Sequence, residues 1–446
     1  MHVPEQEIDL LLSDRHVRKT ILEILRITAR ARSSFSDIIS QELRKKKNLS
    51  SKRRRAISNA AYMMVRMTRL IDFLLEYGGT ETLGTMPAED KSLARFAVAL
   101  LSLKGVTAEK IGAGDFPDWI HALVHRIGSV EKACATIEDS CEELATESSM
   151  PSWFTKRVIE ERGQREAEEL LHSMNTRAPL TLRANTLKVS AENLIHRLAQ
   201  EDIVGHRGLL SPWSVKLEGH RNIRALYAYR KGYMEAQDEG SQLIALLAAP
   251  PENGKVLDLC AGAGGKTLAL AAMMKNKGEV IATDIDPRRL SRLRPRLQRS
   301  GASNIRLLPW DTKLPKGWRG RADRVLIDAP CSGSGTLRRN PGMRWQLSEE
   351  EIERLNTIQT ELLKDAKKLV RPGGWIIYAT CSILRAENEE IVEKVLAEDP
   401  ELEILHPSDI VGEELGASIS RGAFMSLGPN SHDVDGFFTA VIRLKN

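Results

Sequence analysis

The sequence of 446 residues has no long apolar segment. No stretch approaches the roughly 20 consecutive apolar residues that a membrane-spanning helix needs. The first residues, MHVPEQEIDLLLSDRHVRK, are acidic before they are basic and lack the charged-then-apolar order of a signal peptide. We therefore expect a cytosolic protein without a membrane partner.

Cysteine is scarce, and its spacing argues against two classes of protein. The five cysteines are odd in number and widely spread: Cys134, Cys141, Cys260, Cys331 and Cys381. This pattern fits reduced thiols better than a disulfide framework. The sequence has no CxxC pair and no histidine cluster, so a zinc site is not expected.

The formal net charge is only +5, but basic residues are concentrated in two runs. Between Gln41 and Leu70, ten Lys or Arg residues accompany a single acid, Glu42. The second run follows Asp286 and comprises Arg288, Arg289, Arg292, Arg294, Arg296 and Arg299. Such runs suit phosphate backbones, but a solvated helix face produces the same pattern. Charge alone leaves both interpretations open.

The chain is too long for one compact core, and its patterns predict three domains. Residues 1–149 carry apolar residues at helical spacing, with Ser50-Ser51 as a helix cap, which predicts a helical bundle. Residues 150–235 contain the strand-like segments TLRANTLKV and WSVKLEG around the helix-like AENLIHRLAQE, which predicts a small α+β region. Residues 236–446 form the third predicted domain.

In the third domain, apolar strands alternate with amphipathic helices. The strands include KVLDLC, EVIATD, DRVLIDA and GWIIYATC, and a final segment, GFFTAVIRL, is expected at the edge of the sheet. Apolar strands separated by helices form a parallel sheet covered on both faces. The predicted fold class is therefore α/β: a doubly wound, Rossmann-like domain with a mainly parallel sheet, preceded by the helical and α+β regions.

A glycine-rich segment, AGAGGKT at residues 261–267, follows the first strand of that sheet. Glycines at this point let the backbone approach a ligand at a helix N-terminus. Asp284, after the next strand, lies where a carboxylate accepts hydrogen bonds from ribose hydroxyls. The spacing is not GxGxxG, nor a Walker A loop, which needs glycine where Cys260 stands. NAD, FAD and S-adenosylmethionine stay open, and the spacing suits a methyltransferase best.

Two cysteines follow the ends of neighbouring predicted strands. Cys331 comes after Asp328-Ala329-Pro330 at the end of the fourth strand, and Cys381 follows the fifth. Because ligands bind outside the carboxyl ends of parallel strands, we expect both thiols beside the cofactor. One buried cysteine is usually packing. Two at adjacent strand ends, one of them beside Asp-Ala-Pro, favour a role in chemistry.

Two thiols and a carboxyl group suit the methylation of a pyrimidine carbon. Carbon 5 of cytosine is a poor nucleophile, and addition of a thiolate at carbon 6 makes the ring enamine-like. A carboxyl group at the Watson–Crick edge stabilises the charge that develops, and a base must then remove the carbon 5 proton.

On these motifs the chain resembles the bacterial small-subunit (16S) ribosomal RNA methyltransferase B family, within the NOL1/NOP2/Sun group of RNA 5-methylcytosine enzymes. The resemblance covers nearly the whole chain and rests on PLTLRANTLK, YMEAQDEGSQL, DLCAGAGGKT, ATDIDPRRL, LIDAPCSGSGTLRRNP, YATCSI and DGFF. It implies a methyltransferase that uses S-adenosylmethionine, has a NusB-like RNA-binding N-terminal domain, and acts on 16S ribosomal RNA.

The resemblance also implies a role for each site residue. Cys381 would be the nucleophile, Cys331 would assist release as a base or proton relay, and Asp328 would face the target base. No metal is implied. The implied cofactor contacts are Cys260, Ala261, Gly262, Ala263, Gly264, Gly265, Lys266, Asp284, Asp311 and Asp328, with Asp311 at the adenine end.

The sequence departs from the family pattern at Gly262-Ala263, where the family usually has Ala-Pro. Two alternatives stay open: the same chemistry on transfer RNA, and a catalytically degenerate RNA-binding factor of ribosome assembly. We expect a monomer that binds RNA and not DNA.

Overall fold

A computed structural model describes residues 3–28, 35–79, 86–219, 222–309 and 317–446. Its contacts divide the chain into two compact units. The first unit comprises Met1–Thr176 and Leu337–Gln346, and the second comprises Arg177–Thr336 and Leu347–Asn446. The division into three domains stays a prediction. None of the helices in the described ranges has the length and apolar composition that crossing a bilayer requires.

The first unit is helical, as its apolar spacing predicts, and the Ser50 side chain caps α4 by accepting a hydrogen bond from the Arg53 amide. Buried aliphatic and aromatic side chains, among them Ile21, Leu74 and Phe96, form its core. Its helices are α1 (Glu5–Ser13), α2 (Arg15–Thr28), α3 (Phe35–Lys45), α4 (Ser51–Arg66), α5 (Thr68–Tyr77), α6 (Ala88–Leu100), α7 (Ala108–Gly112), α8 (Asp118–Ile127), α9 (Val130–Cys134), α10 (Ser140–Glu147), α11 (Ser152–Arg162) and α12 (Gln164–Ser173).

Much of the basic run in this unit has partners within the fold. Arg53 pairs with Asp14 at 2.8 Å, and Arg55 pairs with Glu7. Arg54 donates to backbone carbonyls that include Leu49. These three side chains therefore stabilise the helical unit, and RNA contact by the run stays a prediction that depends on its exposed residues, such as Lys47 and Lys52.

The segment Leu337–Gln346 packs in the first unit through a buried arginine. Arg344 is fully buried. Its Nη1 donates to the carbonyls of Arg66, Ser148 and Ser149 at 2.9, 3.2 and 3.0 Å. Burial, with the neighbouring Arg66 charge, lowers the pKa of Arg344 to about 9. Three carbonyls from two separate segments of the chain thus accept hydrogen bonds from one side chain.

The second unit begins with a four-stranded antiparallel sheet of order β2-β3-β1-β4. The predicted strand, helix and strand of the middle region are present as β1, α13 and β3. The elements are β1 (Leu180–Ala184), α13 (Ala191–Ala199), β2 (Gly205–Arg207), β3 (Ser214–Leu217), α14 (Tyr227–Arg230) and β4 (Met234–Ala236).

The larger sheet confirms the Rossmann-like prediction. In the described residues it has nine strands, and β7-β6-β5-β8-β9 run parallel. Its elements are α15 (Glu239–Ala248), β5 (Lys255–Asp258), α16 (Gly265–Met273), β6 (Glu279–Ala282), α17 (Pro287–Ser291), α18 (Leu293–Ser300), β7 (Ile305–Leu307), β8 (Ala322–Asp328), α19 (Glu349–Lys367), β9 (Val370–Thr380), α20 (Glu389–Glu398), β10 (Leu402–Leu405), α21 (Pro407–Val411), α22 (Glu413–Ile419), β11 (Ser420–Arg421), β12 (Phe424–Leu427), α23 (Pro429–His432) and β13 (Phe437–Leu444).

The prediction that GFFTAVIRL forms an edge strand is wrong. This segment is β13, which pairs antiparallel with β9 on one side and with β12 and β10 on the other. Consecutive side chains from Phe437 to Ile442 are all buried. Because successive residues of a strand point to opposite faces, β13 is apolar on both faces and suits the interior of a covered sheet.

Candidate active site

Two loops at the carboxyl edge of the parallel sheet bring the two thiols together. Strands β8 and β9 are parallel neighbours, with Asp328 opposite Ala379. The chain leaves both strands at the same edge, and the amide of Gly335 donates to the carbonyl of Cys381 at 2.9 Å. The Sγ atoms of Cys331 and Cys381 lie 3.4 Å apart, and both residues are half-buried. One reactant can therefore contact both sulfurs.

The two sulfurs differ in their surroundings. The hydrogen bond with Cys381, burial, and the charges of Cys381 and Glu387 together raise the pKa of Cys331 well above its usual range. Cys331 therefore keeps its proton while it faces the sulfur of Cys381.

An ion pair joins the glycine loop to the Asp-Ala-Pro-Cys motif. Lys266 Nζ, in the first turn of α16, lies 2.7 Å from Asp328 Oδ2, the last residue of β8. The lysine side chain is 11% exposed and the aspartate side chain 35% exposed. The carboxylate thus has a fixed partner on the protein side and an accessible surface on the other. A ligand in the crevice can contact it.

The segment 261–264 makes a tight turn between β5 and α16. Gly264 has a φ of +81°, and a Cβ atom there would lie 2.2 Å from Leu293 Cδ1. Gly262 has a φ of +55°, and its amide donates to Asp284 Oδ2 at 2.8 Å. Both glycines adopt a left-handed conformation that residues with a Cβ rarely take, which keeps this backbone close to the end of β6.

Asp284 holds this loop in place. Its carboxylate is buried and accepts the amide of Asp286 at 2.8 Å as well as that of Gly262, with Arg289 3.8 Å away. The ribose contact of Asp284 stays a prediction.

The remaining predicted cofactor contacts include Cys260 and Asp311. Burial raises the pKa of Cys260 well above its usual range, so this thiol is not set up as a nucleophile. The predicted adenine contact, Asp311, lies outside the described residues.

Asp258, which the sequence patterns did not single out, is a further candidate ligand residue. It is the last residue of β5 and is buried. Its Oδ2 accepts from Thr267 Oγ1 at 2.7 Å, whereas Oδ1 has no hydrogen-bond partner among the described residues. Burial raises its pKa to about 7. A buried, unsatisfied carboxylate oxygen beside a glycine loop fits the ammonium group of S-adenosylmethionine. A carboxylate ending an apolar strand was the signal available in the sequence.

Two arginines outside the predicted site donate hydrogen bonds to backbone carbonyls of the glycine loop. Arg183 of β1 is buried, and its Nη1 donates to the carbonyl of Gly265 at 2.6 Å. Arg296 of α18 donates to the carbonyl of Ala263 at 2.5 Å. Arg296 and Arg299 also pair with the buried Glu235. Part of the second basic run is therefore used inside the unit, which its charge pattern alone did not reveal.

Two family models match the chain. One, described as 16S rRNA methyltransferase RsmB/F, matches residues 245–443. The other, described as a Methyltr_RsmF/B-like ferredoxin-like domain, matches residues 150–224. The first spans the larger sheet with the glycine loop and both cysteine loops, and the second includes the strands β1 to β3.

Known proteins are similar over most of the chain. The probable ribosomal RNA small subunit methyltransferase B of Bacillus subtilis is 30% identical over 386 residues, 86% of this chain and 83% of that protein. Its namesake from Synechocystis is 29% identical, covering 92% and 96%. A solved structure of a methyltransferase homologue from Pyrococcus horikoshii is 27% identical with a TM-score of 0.60, covering 70% of this chain and 100% of that one.

Proposed function

Because the chain belongs to the ribosomal RNA small subunit methyltransferase B family, we propose that it methylates carbon 5 of a cytosine in 16S ribosomal RNA through a covalent bond from Cys381. Membership makes it an RNA methyltransferase that uses S-adenosylmethionine. The observation that carries the finer proposal is the 3.4 Å contact between the sulfurs of Cys331 and Cys381. A single thiol would suffice for packing, whereas this chemistry needs one sulfur at carbon 6 and a base at carbon 5.

The glycine-lined end of β5 is the proposed cofactor site. The backbone of residues 260–265 and the carboxylates of Asp258 and Asp284 would hold S-adenosylmethionine, with Lys266 orienting Asp328 toward it. Asp311 is proposed for the adenine end on the family resemblance alone. When bound, the cofactor supplies an electrophilic methyl group to carbon 5 of the base.

Covalent attack begins at Cys381. Its thiolate bonds to carbon 6, and the electron pair of the carbon 5–carbon 6 double bond makes carbon 5 nucleophilic. Lys266 holds the Asp328 carboxylate in place, so it can accept a hydrogen bond from the amino group at the Watson–Crick edge and orient the ring for attack. Once Cys381 is bonded to carbon 6, Cys331 releases its own proton to solvent, and after methylation the carbon 5 proton passes to the Cys331 thiolate. The electrons of the broken C–H bond restore the double bond and expel Cys381 as a thiolate.

The environment of Cys331 gives these steps an order. The hydrogen bond with Cys381 is the first cause of its raised pKa, and the charge of Cys381 is another. Once Cys381 is bonded to carbon, its sulfur is neutral and both causes weaken. Burial and Glu387 still raise the pKa of Cys331, but Cys331 loses its proton more readily after the adduct exists than before.

The test uses purified protein, methyl-labelled S-adenosylmethionine and unmethylated 16S ribosomal RNA. We expect Cys381→Ala to abolish transfer and Cys331→Ala to accumulate a protein–RNA adduct that survives denaturation. Cys134→Ala is the matched control, because this thiol is buried in the first unit. Normal activity in Cys381→Ala, or no adduct in Cys331→Ala, would contradict the assignment.

The same assay separates the alternatives. Bisulfite sequencing of the product maps the modified cytosine, and a transfer RNA substrate in a parallel reaction tests the second substrate class. If the wild-type protein binds RNA but transfers no methyl group to either, the chain is an RNA-binding factor and not an active enzyme.

A further inference from the structure

Beneath the two cysteine loops lies a buried carboxylate that the reaction outlined above does not use. Glu387 ends the 3-10 turn Arg385–Glu387 and is fully buried. Its Oε1 accepts from the amide of Ser332 at 2.8 Å, and its Oε2 accepts from Ser332 Oγ at 2.5 Å. Its own carbonyl accepts from the hydroxyl of Tyr378 at 2.6 Å. The backbone of Glu387 is therefore anchored to β9, and its side chain is bound to the residue after Cys331.

The residue before Cys331 is held in a similar way. Gln359 of α19 is fully buried, and its Nε2 donates to the carbonyl of Pro330 at 2.9 Å. The same nitrogen lies 3.1 Å from Glu387 Oε1 and donates to it. The backbone groups on both sides of Cys331 are thus held by two buried side chains that also contact each other.

The loop of Cys381 has supports that do not include the Glu387 side chain, although Ser332 Oγ also donates to Ser382 Oγ at 3.4 Å. Asn388 Nδ2 donates to the carbonyl of Ser382 at 3.0 Å, and Thr380 Oγ1 contacts Asn388 Oδ1 at 2.5 Å. The amide of Ile383 donates to Ser334 Oγ at 3.1 Å. Loss of the Glu387 carboxylate would therefore loosen Cys331, which it holds through Ser332, more than it would loosen Cys381, which these contacts still hold.

We propose that Glu387, acting with Gln359, is a positioning residue for the release step: it fixes the loop of Cys331 so that this sulfur reaches the carbon 5 proton of the adduct. The inference rests on the proposed function. A loosened Cys331 would leave attack by Cys381 and methylation nearly intact and would slow the breakdown of the adduct. Misplacing a catalytic group by about 1 Å can reduce a rate by about 100-fold.

The negative charge of Glu387 gives a second way to test its role, through the pH dependence of adduct release. The ionisable side chains that face Cys331 are those of Cys381, Glu387 and Tyr378. After Cys381 and burial, the charge of Glu387 also raises the pKa of Cys331. Replacing Glu387 with the isosteric glutamine removes that charge, so the pH at which adduct release becomes fast should move down. A purely structural role would leave this pH unchanged.

The experiment measures methyl transfer and adduct breakdown separately, in single turnovers with labelled S-adenosylmethionine and 16S ribosomal RNA at several pH values. We expect Glu387→Gln to transfer methyl within about 3-fold of wild type and to break down the adduct about 10- to 100-fold more slowly, with its pH profile shifted to lower pH. Gln359→Met should slow release without the pH shift. The double variant should be less than additive, because both side chains hold the same loop.

Arg324→Met is the matched control for lost stability. Arg324 is also buried and donates to the backbone carbonyls of Ala248, Ala249 and Asp323. It lies near the start of β8, whereas the cysteines follow the other ends of the strands. It should lower stability without accumulating adduct.

Unchanged adduct breakdown and an unchanged pH profile in Glu387→Gln would overturn the inference while the cysteine variants still behave as proposed. The inference would also be overturned if Glu387→Gln lost methyl transfer and adduct release to the same extent, as Arg324→Met would do through lost stability alone. No adduct in Cys331→Ala would instead remove the proposed function itself. If Glu387→Gln does not fold, Ser332→Ala removes one of the bonds to the carboxylate and should show a weaker version of the same delay.

Discussion

Replacing Asp258 with asparagine should make the ligand-free protein more stable at neutral pH. The carboxylate ends β5 in a buried position, where Oδ1 has no partner among the described residues. Burial raises its pKa from 3.8 to about 7, and the charge of Asp328 adds to that rise while the Thr267 hydroxyl opposes it. Asparagine has the same shape and can still accept the Thr267 hydrogen bond. It removes the ability to ionise and puts a neutral NH2 group in place of the unpartnered Oδ1, which costs less than a buried charge.

The direction of this pH dependence follows from the pKa of the Asp258 carboxyl group in the folded and unfolded states. Below the unfolded pKa, the carboxyl is neutral in both states and contributes its full stability. As the pH rises from 3.8 to about 7, the unfolded chain ionises and the folded protein does not, so stability is lost; above about 7 the loss is constant. A separation of about 3 pKa units corresponds to about 4 kcal/mol in full, of which about 2 to 3 kcal/mol should develop between about pH 5 and 8.

Urea unfolding of the ligand-free protein at several pH values measures this difference. Asp258→Asn should gain stability over wild type, and the gain should grow toward pH 8. Asp323→Asn is the matched control. Burial raises the pKa of Asp323, but the hydrogen bonds from the Lys255 amide and Arg371 lower it by more. The pKa of Asp323 is therefore below its usual value. The stabilising contribution of Asp323 is fully present above its unfolded pKa of 3.8. Asp323→Asn should therefore lose stability by the same amount at every pH between about 5 and 8. A gain for Asp258→Asn that is independent of pH would refute the reasoning.

Two further predictions concern buried arginines. Arg183→Met removes the donor to the carbonyl of Gly265, so the glycine loop should bind S-adenosylmethionine about 10-fold more weakly by calorimetry. Lys188→Met, which loses contacts to other carbonyls of the same unit, should bind it normally. Arg344→Met leaves three buried carbonyls without this donor and should lower the free energy of unfolding by about 3 kcal/mol in urea titrations. Equal stability of wild type and Arg344→Met would mean that these carbonyls find other partners.

Much of the architecture could be predicted because it depends on local periodicity. Apolar strands alternating with amphipathic helices leave few options besides a parallel sheet covered on both faces. That geometry places Asp328, Cys331 and Cys381 at one edge, since all parallel strands end on the same side. The exception was β13, which pairs with β9 and β10, both distant in sequence, as well as with the preceding strand β12. Its apolar residues on both faces were compatible with that internal position, but the sequence order suggested an edge.

The supports of the site could not be predicted from local patterns. Glu387 begins the charged segment ENEEIVEK and resembles an acid at the exposed start of a helix. Gln359 lies in α19, a helix rich in Glu and Lys, where a glutamine usually faces water. Both are buried because α19 and the turn after Cys381 pack against the loop of Cys331. The partners are 28 and 55 residues apart along the chain.

The two basic runs also show which features the sequence determines and which depend on tertiary structure. The sequence alone determined that lysines and arginines are concentrated at two places, and which residue types stand at the strand ends. Only the tertiary structure decided that Arg55 neutralises the buried Glu7 and that Arg296 and Arg299 hold Glu235. The reason is physical. Periodicity reports which face of an element is apolar, whereas an ion pair or a buried hydrogen bond depends on a second element whose position comes from packing.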